Sequence, residues 1–185
     1  MLDVVPTAIA DVLILTPRRI QDGRGLFCEV YSEQRFAEVG IHAHFVQDNL
    51  SVSAQAGTVR GLHFQAPPFA QDKLVRVGRG RILDIAVDIR RSSPTYGRHV
   101  SIELSAAKGR QLFVPAGFAH GFCTLEPDTE VLYKVSAPYA ASHDRGLAWN
   151  DPALAIPWPV TADEAILSDR DRHHPRLAEL DSPFG

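Results

Sequence analysis

Side chains alternate with a period of two in two stretches of the chain, residues 82–89 and 99–105; in the first, Leu83, Ile85, Val87 and Ile89 alternate with Ile82, Asp84, Ala86 and Asp88. In the second stretch, Val100, Ile102 and Leu104 point one way, while the polar residues between them point the other way. A period of two residues is typical of a β-strand with one face in a core. Glycines and prolines, 13 of each, divide the rest of the chain into short segments, which favours strands over long helices. The sequence therefore predicts an all-β fold.

About ten strands and few helices are expected. One short helix is predicted at 33–39, with Ser32 as its N-cap and Gly40 just past its end, and a second helical piece near 162–167. Many strands at close spacing predict an antiparallel β-barrel or jelly roll rather than a parallel α/β sheet. The further strands are predicted at 12–16, 26–31, 43–53, 57–64, 73–78, 111–114, 119–125 and 129–136.

The chain has the size and composition of one globular domain. Its 185 residues are enough for a sizeable core, and 45% apolar with 22% charged residues fits neither a disordered nor a fibrous protein. The tail from Asp151 onward carries Pro152, Pro157 and Pro159 close together. We therefore expect a single domain over 1–185, in which 151–185 wraps the outside of the barrel or covers its mouth.

Charge and cysteine usage restrict the partners and the compartment. The net charge of −3 argues against a general nucleic-acid binder. No apolar run approaches the roughly 18 residues needed to span a bilayer, and no secretion signal is visible at the N-terminus. Cys28 and Cys123 match no metal or redox spacing, so we expect reduced thiols and a cytoplasmic protein.

Two stretches that run from glycine to histidine resemble the two motifs of the cupin superfamily, which folds as a small jelly-roll barrel. The second stretch is the more specific: Gly109, five residues, Pro-x-Gly, two residues and His120. A metal-binding cupin would offer His-x-His and a glutamate in the first stretch, where this chain has His63, Gln65 and Gln71. Neutral amides are poor ligands for transition metals. The sequence therefore predicts no catalytic metal.

Without a metal, an imidazole can act as a general base near neutral pH. A base needs a group that orients it, an acid on the other side of the substrate and a group that stabilises negative charge. Asp169 and Asp171 are the candidates for orienting the imidazole. By strand parity, Tyr133 shares the inward face of its neighbours. Lys73 has the parity of a buried row too, although a lysine at a strand end can equally reach water.

Several polar and aromatic residues are candidates for binding an anion or a base. Arg24 and Arg60 could each hold a phosphate. Arg60 and His63 fall on opposite faces of a regular strand, so they reach one pocket only if Gly61 introduces a bend. Further candidates are Gln47 and Asn49, which share a strand face, and the aromatic residues Phe27 and Tyr139.

Ten motifs that follow one another along nearly the whole chain carry a closer resemblance. They are Arg24-Gly25-x-Phe27, Gln47-Asp48-Asn49-x-Ser51, Arg60-Gly61-Leu62-His63-Phe64-Gln65, Gln71-x-Lys73-Leu74-Val75, Asp84-x-Ala86-Val87-Asp88-x-Arg90, Ser93-Pro94-Thr95-Tyr96-Gly97, Pro115-x-Gly117-Phe118-Ala119-His120-Gly121-Phe122, Tyr133-Lys134, Trp149-Asn150-Asp151-Pro152 and Leu167-Ser168-x-x-Asp171. On these motifs the chain resembles the dTDP-4-dehydrorhamnose 3,5-epimerase family.

The resemblance implies a cofactor-free homodimer whose substrate is a dTDP-linked 4-keto-6-deoxy sugar. The implied reaction inverts C3 and C5 of dTDP-4-dehydro-6-deoxy-D-glucose and gives dTDP-4-dehydro-L-rhamnose. Both carbons flank the C4 ketone, which acidifies their protons. By the family pattern, His63 takes the proton, Asp171 holds the imidazole and Tyr133 returns a proton on the opposite face. Lys73 stabilises the enolate oxygen, with His120 nearby.

The resemblance also implies a set of substrate-binding residues, part of it supplied by the partner subunit. The set comprises Arg24, Phe27, Glu29, Gln47, Asn49, Arg60, Lys73, His120, Tyr139, Asp144 and Arg170, with no metal ligand. Phe27 and Tyr139 would contact the thymine. Three positions depart from the family pattern: Phe64 for a frequent tyrosine, Asp144 for glutamate and Arg170 for lysine.

Three alternatives remain open on the sequence. A relative with the same base could epimerise only C3 or only C5, or isomerise the keto-sugar. A metal-dependent cupin oxygenase or isomerase is a second alternative. The third is a sugar-nucleotide binding module without catalysis.

Overall fold

A computed structural model describes residues 2–185, which form 13 β-strands, one α-helix and two short 3₁₀ segments. The strands are β1 (Leu2–Pro6), β2 (Leu13–Pro17), β3 (Arg19–Asp22), β4 (Gly25–Cys28), β5 (Gln47–Ser53), β6 (Val59–Gln65), β7 (Lys73–Arg79), β8 (Arg81–Asp88), β9 (His99–Ser105), β10 (Gln111–Val114), β11 (Phe118–Thr124), β12 (Thr129–Val135) and β13 (Asp144–Gly146). Helix α1 covers Glu33–Glu38, and the 3₁₀ segments cover Ala141–His143 and Leu177–Glu179. Within the described residues, no helix is long and apolar enough to cross a membrane.

Most strands belong to two antiparallel sheets. Sheet I has the order β1-β2-β10-β7-β12-β5, and sheet II has the order β13-β6-β11-β8-β9. Strands β3 and β4 pair only with each other and form a separate hairpin. Neighbours in the order are often distant in the chain, as β10 between β2 and β7 shows, which is the connectivity of a jelly roll rather than a simple meander. The predicted all-β jelly roll is confirmed.

The main core lies between the two sheets. Val75 and Val131 of sheet I are buried against Ile82, Ala86 and other apolar side chains of sheet II. Each fully buried aliphatic side chain of this size stabilises the fold by about 1.5–3 kcal/mol. The alternate residues from which the strands were predicted are therefore the ones that each sheet directs into this core.

The outer faces of both sheets are covered as well. On sheet I, Phe36 of α1 and Ile41 pack against Leu15, Leu74 and Phe113. On sheet II, the C-terminal segment covers the outward side chains of β6 and β8. The segment contributes Leu147, Leu154, Ile156, Trp158, Leu177, Leu180 and Phe184. Because both faces of β8 are covered, the residues on each side of its alternation are buried.

The predicted helical piece near 162–167 is wrong. Ile166 instead forms a bridge with Thr58: its N–H donates to the Gly57 carbonyl, and its own carbonyl accepts from the Val59 N–H. The neighbouring Ala165 is buried in a small apolar cluster beside the start of β6. These tertiary contacts outweigh the weak helical preference of a six-residue segment.

Other boundaries also differ from the sequence prediction. The predicted strand 26–31 ends at Cys28, and the predicted strand 43–53 begins only at Gln47. Ser32 stands at the N-cap of α1, but its side chain makes no capping hydrogen bond. Gly40 follows the helix with a φ of +86°, the left-handed conformation that glycine adopts most readily. Strands β1, β3 and β13 were not predicted, since each has five residues or fewer and β3 is exposed along its whole length.

Candidate active site

Two side chains from opposite sheets meet at the mouth of the barrel. His63 lies on β6 of sheet II and Tyr133 lies on β12 of sheet I, and both line the same two cavities, of about 440 and 170 Å³. We refer to these two cavities together as the cleft. Its larger cavity also contains Arg60 and Asp171, and its smaller one contains Lys73. A substrate in the cleft would therefore be contacted from both sheets.

A β-bulge in β6 brings Arg60 and His63 to the same cleft. His63 pairs with His120 on β11, whereas Arg60 pairs with Phe122, so three residues on β6 occupy the space of two on β11. Gly61 lies in the bulge with a φ of +135°, and an added Cβ would lie 2.6 Å from the Cα of Gly121. The predicted bend at this glycine is confirmed, and no other residue fits there.

Asp171 is the partner of His63. His63 Nε2 lies 2.5 Å from Asp171 Oδ1, and the second carboxylate oxygen accepts from the Gly61 N–H. Burial alone would raise the pKa of Asp171, but its contacts with His174 and His63 outweigh burial and hold the pKa well below its usual value. The ionised carboxylate can only accept, so the ring nitrogen that faces it, His63 Nε2, carries a proton; the lone pair of the neutral ring is then the one on Nδ1.

Asp169, the other candidate for orienting the imidazole, lies elsewhere. Its backbone carbonyl contacts His173 Nδ1 at 2.6 Å, and its carboxylate lines neither cavity of the cleft within the described residues. Of the two aspartates that the sequence offered, the structure brings Asp171 alone to His63.

Lys73 is buried and points into the barrel. Its ammonium group donates to the carbonyl of His63 at 3.1 Å, and it lines the smaller cavity. Burial lowers the pKa of Lys73 to about 8, although the charges of Asp144 and Asp84 act in the opposite direction. A cationic donor near its titration point therefore lies beside His63.

Tyr133 places a phenol on the side of the cleft formed by sheet I. Burial raises the pKa of its phenol; the charge of Arg60 opposes this shift and that of Asp144 adds to it. The phenol therefore keeps its proton at neutral pH. Arg60 is held beside it, because its Nε donates to Ser53 Oγ at 3.2 Å and its terminal nitrogen donates to the Val52 carbonyl.

His120 belongs to a second pair of imidazole and carboxylate behind the cleft. Its Nε2 lies 2.6 Å from Asp84 Oδ1, and both side chains are buried. Asp84 was not predicted as a site residue. A signal existed in the sequence, because Asp84 shares the inward face of β8 with Ile82 and Ala86, where a carboxylate requires a partner.

Five of the predicted binding residues form one hydrogen-bonded network at the smaller cavity. Tyr139 Oη donates to Asp144 Oδ2 at 3.0 Å, and Arg170 pairs with the same oxygen. Gln47 accepts from the Tyr139 N–H at 3.0 Å and donates to Asn49 Oδ1 at 2.8 Å. Burial would raise the pKa of Asp144, but Arg170 and Tyr139 lower it overall, so an anionic carboxylate organises the network.

The remaining predicted binding residues lie away from the cleft of their own chain. Arg24 and Phe27 are on the β3–β4 hairpin, where the Arg24 side chain is 91% exposed and pairs with Asp22, and Phe27 is 68% exposed. Glu29 follows the hairpin and pairs with Arg35 at 3.0 Å. The structure does not bring these three residues to His63.

Comparisons with known proteins identify the family. The family model for dTDP-4-dehydrorhamnose 3,5-epimerase matches residues 6–179. A curated dTDP-4-dehydrorhamnose 3,5-epimerase of Sinorhizobium fredii is 55% identical over 177 residues, which cover 96% of this chain and 90% of that protein. The chain belongs to the dTDP-4-dehydrorhamnose 3,5-epimerase family. The resemblance stated from the sequence is confirmed, and so is the predicted enzyme class, an epimerase.

Solved structures of this epimerase family superpose over almost the whole chain. The dTDP-4-dehydrorhamnose 3,5-epimerase of Bacillus anthracis, solved with TDP and PPi bound, has 52% identity and a TM-score of 0.92, covering 95% of this chain and 99% of that one. The dTDP-6-deoxy-D-glucose-3,5-epimerase of Legionella pneumophila, solved in complex with dTDP-4-keto-L-rhamnose, has 39% identity and a TM-score of 0.93, covering 98% and 95%.

Two glutamines show how this member of the epimerase family uses the positions at which a metal-binding cupin has ligands. Gln65 accepts from the Ala140 N–H at 2.9 Å, and Gln71 donates to the Ala137 carbonyl at 2.8 Å. Both amides thereby brace the segment that carries Tyr139. Sequence reasoning treated these glutamines only as missing ligands, and nothing in the local pattern indicates a loop partner some 70 residues away.

Proposed function

We propose that the chain epimerises C3 and C5 of dTDP-4-dehydro-6-deoxy-D-glucose, without a cofactor, to give dTDP-4-dehydro-L-rhamnose. The observation that carries this proposal is that His63 and Tyr133 line one cleft from opposite sheets. Inversion of a carbon requires that a proton leaves one face and that another arrives on the opposite face. A base and an acid on two sides of one cavity meet that requirement.

In the proposed mechanism, His63 removes the proton next to the C4 ketone. Its Nδ1 accepts the proton, and the resulting imidazolium is stabilised by the anionic Asp171 at 2.5 Å. The electron pair moves to the ketone oxygen, which becomes an enolate. Lys73, held beside His63 by its bond to the His63 carbonyl, supplies the positive charge for that oxygen. Such preorganised stabilisation contributes on the order of a few kcal/mol.

Tyr133 then delivers a proton to the opposite face of the same carbon. Its raised pKa keeps the phenol protonated before the step. The charge of Arg60, which lowers the pKa of this phenol, favours the phenolate that forms when the proton leaves. The same two groups can serve C3 and C5, because both carbons flank the same ketone.

The binding proposal assigns the nucleotide to the network around Tyr139 and to arginines. Tyr139 would stack on the thymine, and Arg60 and Arg170 can pair with the pyrophosphate. The exposed Phe27 and Arg24 would serve the cleft of a second copy, which makes the proposed enzyme a homodimer. The free thiols of Cys28 and Cys123 are compatible with the cytoplasmic location that we include in the proposal.

The proposal is tested by incubating the protein with the dTDP keto-sugar in heavy water and counting incorporated deuterons by mass spectrometry. Two deuterons are expected. One deuteron would instead support a monofunctional 3- or 5-epimerase. A protein that binds the nucleotide sugar without incorporating deuterium would be a binding module, and the enzyme proposal would fail.

A second measurement addresses the metal-dependent alternative. The proposed mechanism predicts that exchange proceeds at an unchanged rate after treatment with a chelator. Stoichiometric iron or zinc in the purified protein, together with loss of exchange on chelation, would support a metal-dependent cupin instead.

A further inference from the structure

His174 is a third ionisable side chain beside His63 and Asp171, and the proposed mechanism gives it no task. Its side chain is only 9% exposed, and its Nε2 lies 3.4 Å from Asp171 Oδ1, the oxygen that also contacts His63 Nε2. The two imidazole rings meet edge to face with centroids 5.6 Å apart. Within residues 2–185, His174 Nε2 has no hydrogen-bond partner. This imidazole nitrogen thus makes a long contact with the carboxylate but no hydrogen bond of good geometry.

The fold makes room for this imidazole. Gly146 of β13 pairs in register with His63, and a Cβ added to Gly146 would overlap the His174 ring. The next residue along the tail is fixed too, because the Ala148 N–H donates to the Pro175 carbonyl at 2.8 Å. The position of His174 therefore follows from packed backbone and not from a mobile surface side chain.

The three side chains offer the ligand set of a transition-metal site. One ligand atom from each residue lies within 4.8 Å of the others, and two imidazoles with one carboxylate are a common donor set for zinc and its neighbours. Bonds of about 2.0–2.1 Å in tetrahedral geometry put ligand atoms roughly 3.4 Å apart. Asp171 and His174 already have that separation, whereas His63 must move away from Asp171 by roughly 1 Å.

We propose that His63, Asp171 and His174 bind a divalent transition-metal ion of the zinc class, and that this ion switches off the base. A metal on Nε2 of His63 takes the lone pair there, so the ring proton moves to Nδ1. The lone pair that would remove the substrate proton is then lost. The binding itself is independent of the proposed epimerisation, while its inhibitory effect rests on that function.

The test uses untagged protein, since a polyhistidine tag would bind zinc, and compares the wild type with His174→Gln and with the matched control His173→Gln. His173 is the adjacent histidine, is exposed and lies outside the cluster. Zinc affinity is measured by competition with a chromophoric chelator, with Mg²⁺ as the control ion because it prefers oxygen ligands. Deuterium exchange is followed at increasing free zinc.

We expect the wild type and the His173 variant to bind one zinc per chain and to lose exchange with the same dependence on zinc. Loss of an outer-shell partner alone weakens metal binding by roughly 10- to 100-fold, so His174→Gln, which removes a direct ligand, should weaken zinc binding by at least about 100-fold. The exchange activity that His174→Gln retains should therefore need at least about 100-fold more free zinc for the same inhibition. Magnesium should neither bind nor inhibit.

Equal zinc affinity in the wild type and in His174→Gln would overturn the proposal, as would inhibition of both at the same zinc concentration. Circular dichroism checks that the variant folds. If it does not, Asp171→Asn removes another ligand, and unchanged zinc affinity in that variant would overturn the proposal equally. A wild type that binds zinc as expected but exchanges no deuterium would refute the proposed function and leave the metal site standing.

Discussion

Two pairs of histidine and aspartate lie side by side, with their histidines on adjacent strands, yet their surroundings differ. His63 with Asp171 and His120 with Asp84 have nearly equal separations, 2.5 and 2.6 Å, and the two histidines are register partners across β6 and β11. The side chain of His63 is 35% exposed and faces the cleft, whereas that of His120 is 7% exposed. We refer to them as the open pair and the closed pair.

The difference teaches that access, and not the pairing itself, decides which imidazole can exchange a proton with a substrate. In the proposed mechanism, the open pair moves the proton. The closed pair contributes a buried negative charge, and Asp84 is one of the two charges that counter the effect of burial on Lys73. In this mechanism one pair performs the proton transfer, and the other tunes the group that stabilises the enolate.

Removal of the imidazole from each pair should have the largest effects, on activity in the open pair and on stability in the closed pair. His63→Asn deletes the proposed base and should lower kcat/KM for deuterium exchange by about 10²- to 10⁴-fold. Its cost in stability should be the smaller of the two, because the buried Asp171 keeps its contacts with the Gly61 N–H and His174. His120→Asn leaves Asp84 buried without its partner and should cost about 3–5 kcal/mol of unfolding free energy. Exchange kinetics and denaturant unfolding of both variants measure the two effects. Equal loss of activity in folded samples of both would contradict the assignment of roles.

Tyr133→Phe should have the next largest effect, because it removes the acid that faces the open pair and leaves the closed pair intact. Turnover should fall by about 10²- to 10³-fold. His63 remains, so a proton can still leave and return on its own face. The diagnostic measurement is wash-out: substrate deuterated at C3 or C5 should lose its label to ordinary water without inverting. Inversion at the wild-type rate would show that the acid is another group.

Much of the fold was accessible from the sequence because one physical rule governs it. Residues on β8 and β9 alternate with a period of two, and both strands form where the alternation predicts them. The rule fails where no core face exists: β3 is exposed along its whole length. It fails also at Ile166, whose backbone partner Thr58 lies more than a hundred residues earlier in the chain.

The site was less accessible from the sequence than the fold. Strand parity placed Tyr133 inward, and the glycine at 61 explained how Arg60 and His63 reach one cleft. Asp84 and His174 were not predicted as site residues, because the contacts of each are made with a partner that tertiary packing brings close.

The wild-type pH dependence should show the influence of the closed pair on Lys73. The pKa of Lys73 is lowered to about 8, and its ammonium form is the one that stabilises an enolate. Below pH 8 the ammonium is present, and above pH 8 it is lost. We therefore expect kcat/KM to fall as the pH rises through about 8, by about tenfold for each further pH unit. A flat profile between pH 7 and 10 would contradict a cationic role for Lys73.

The smallest expected effect is a shift in the pH dependence on removal of the Asp84 charge, and it tests the separate role of the closed pair directly. Asp84→Asn removes a negative charge that raises the pKa of Lys73, so burial should lower this pKa further and the alkaline fall in kcat/KM should begin at a lower pH. A displacement of less than one pH unit corresponds to a few-fold loss of activity at pH 8.

Asp171→Asn is the matched control: it should slow the reaction at every pH, because Asp171 acts on His63, but it should leave the alkaline midpoint in place. If both variants shift that midpoint equally, the two pairs do not have separate tasks. If neither shifts it, the alkaline fall belongs to a group other than Lys73.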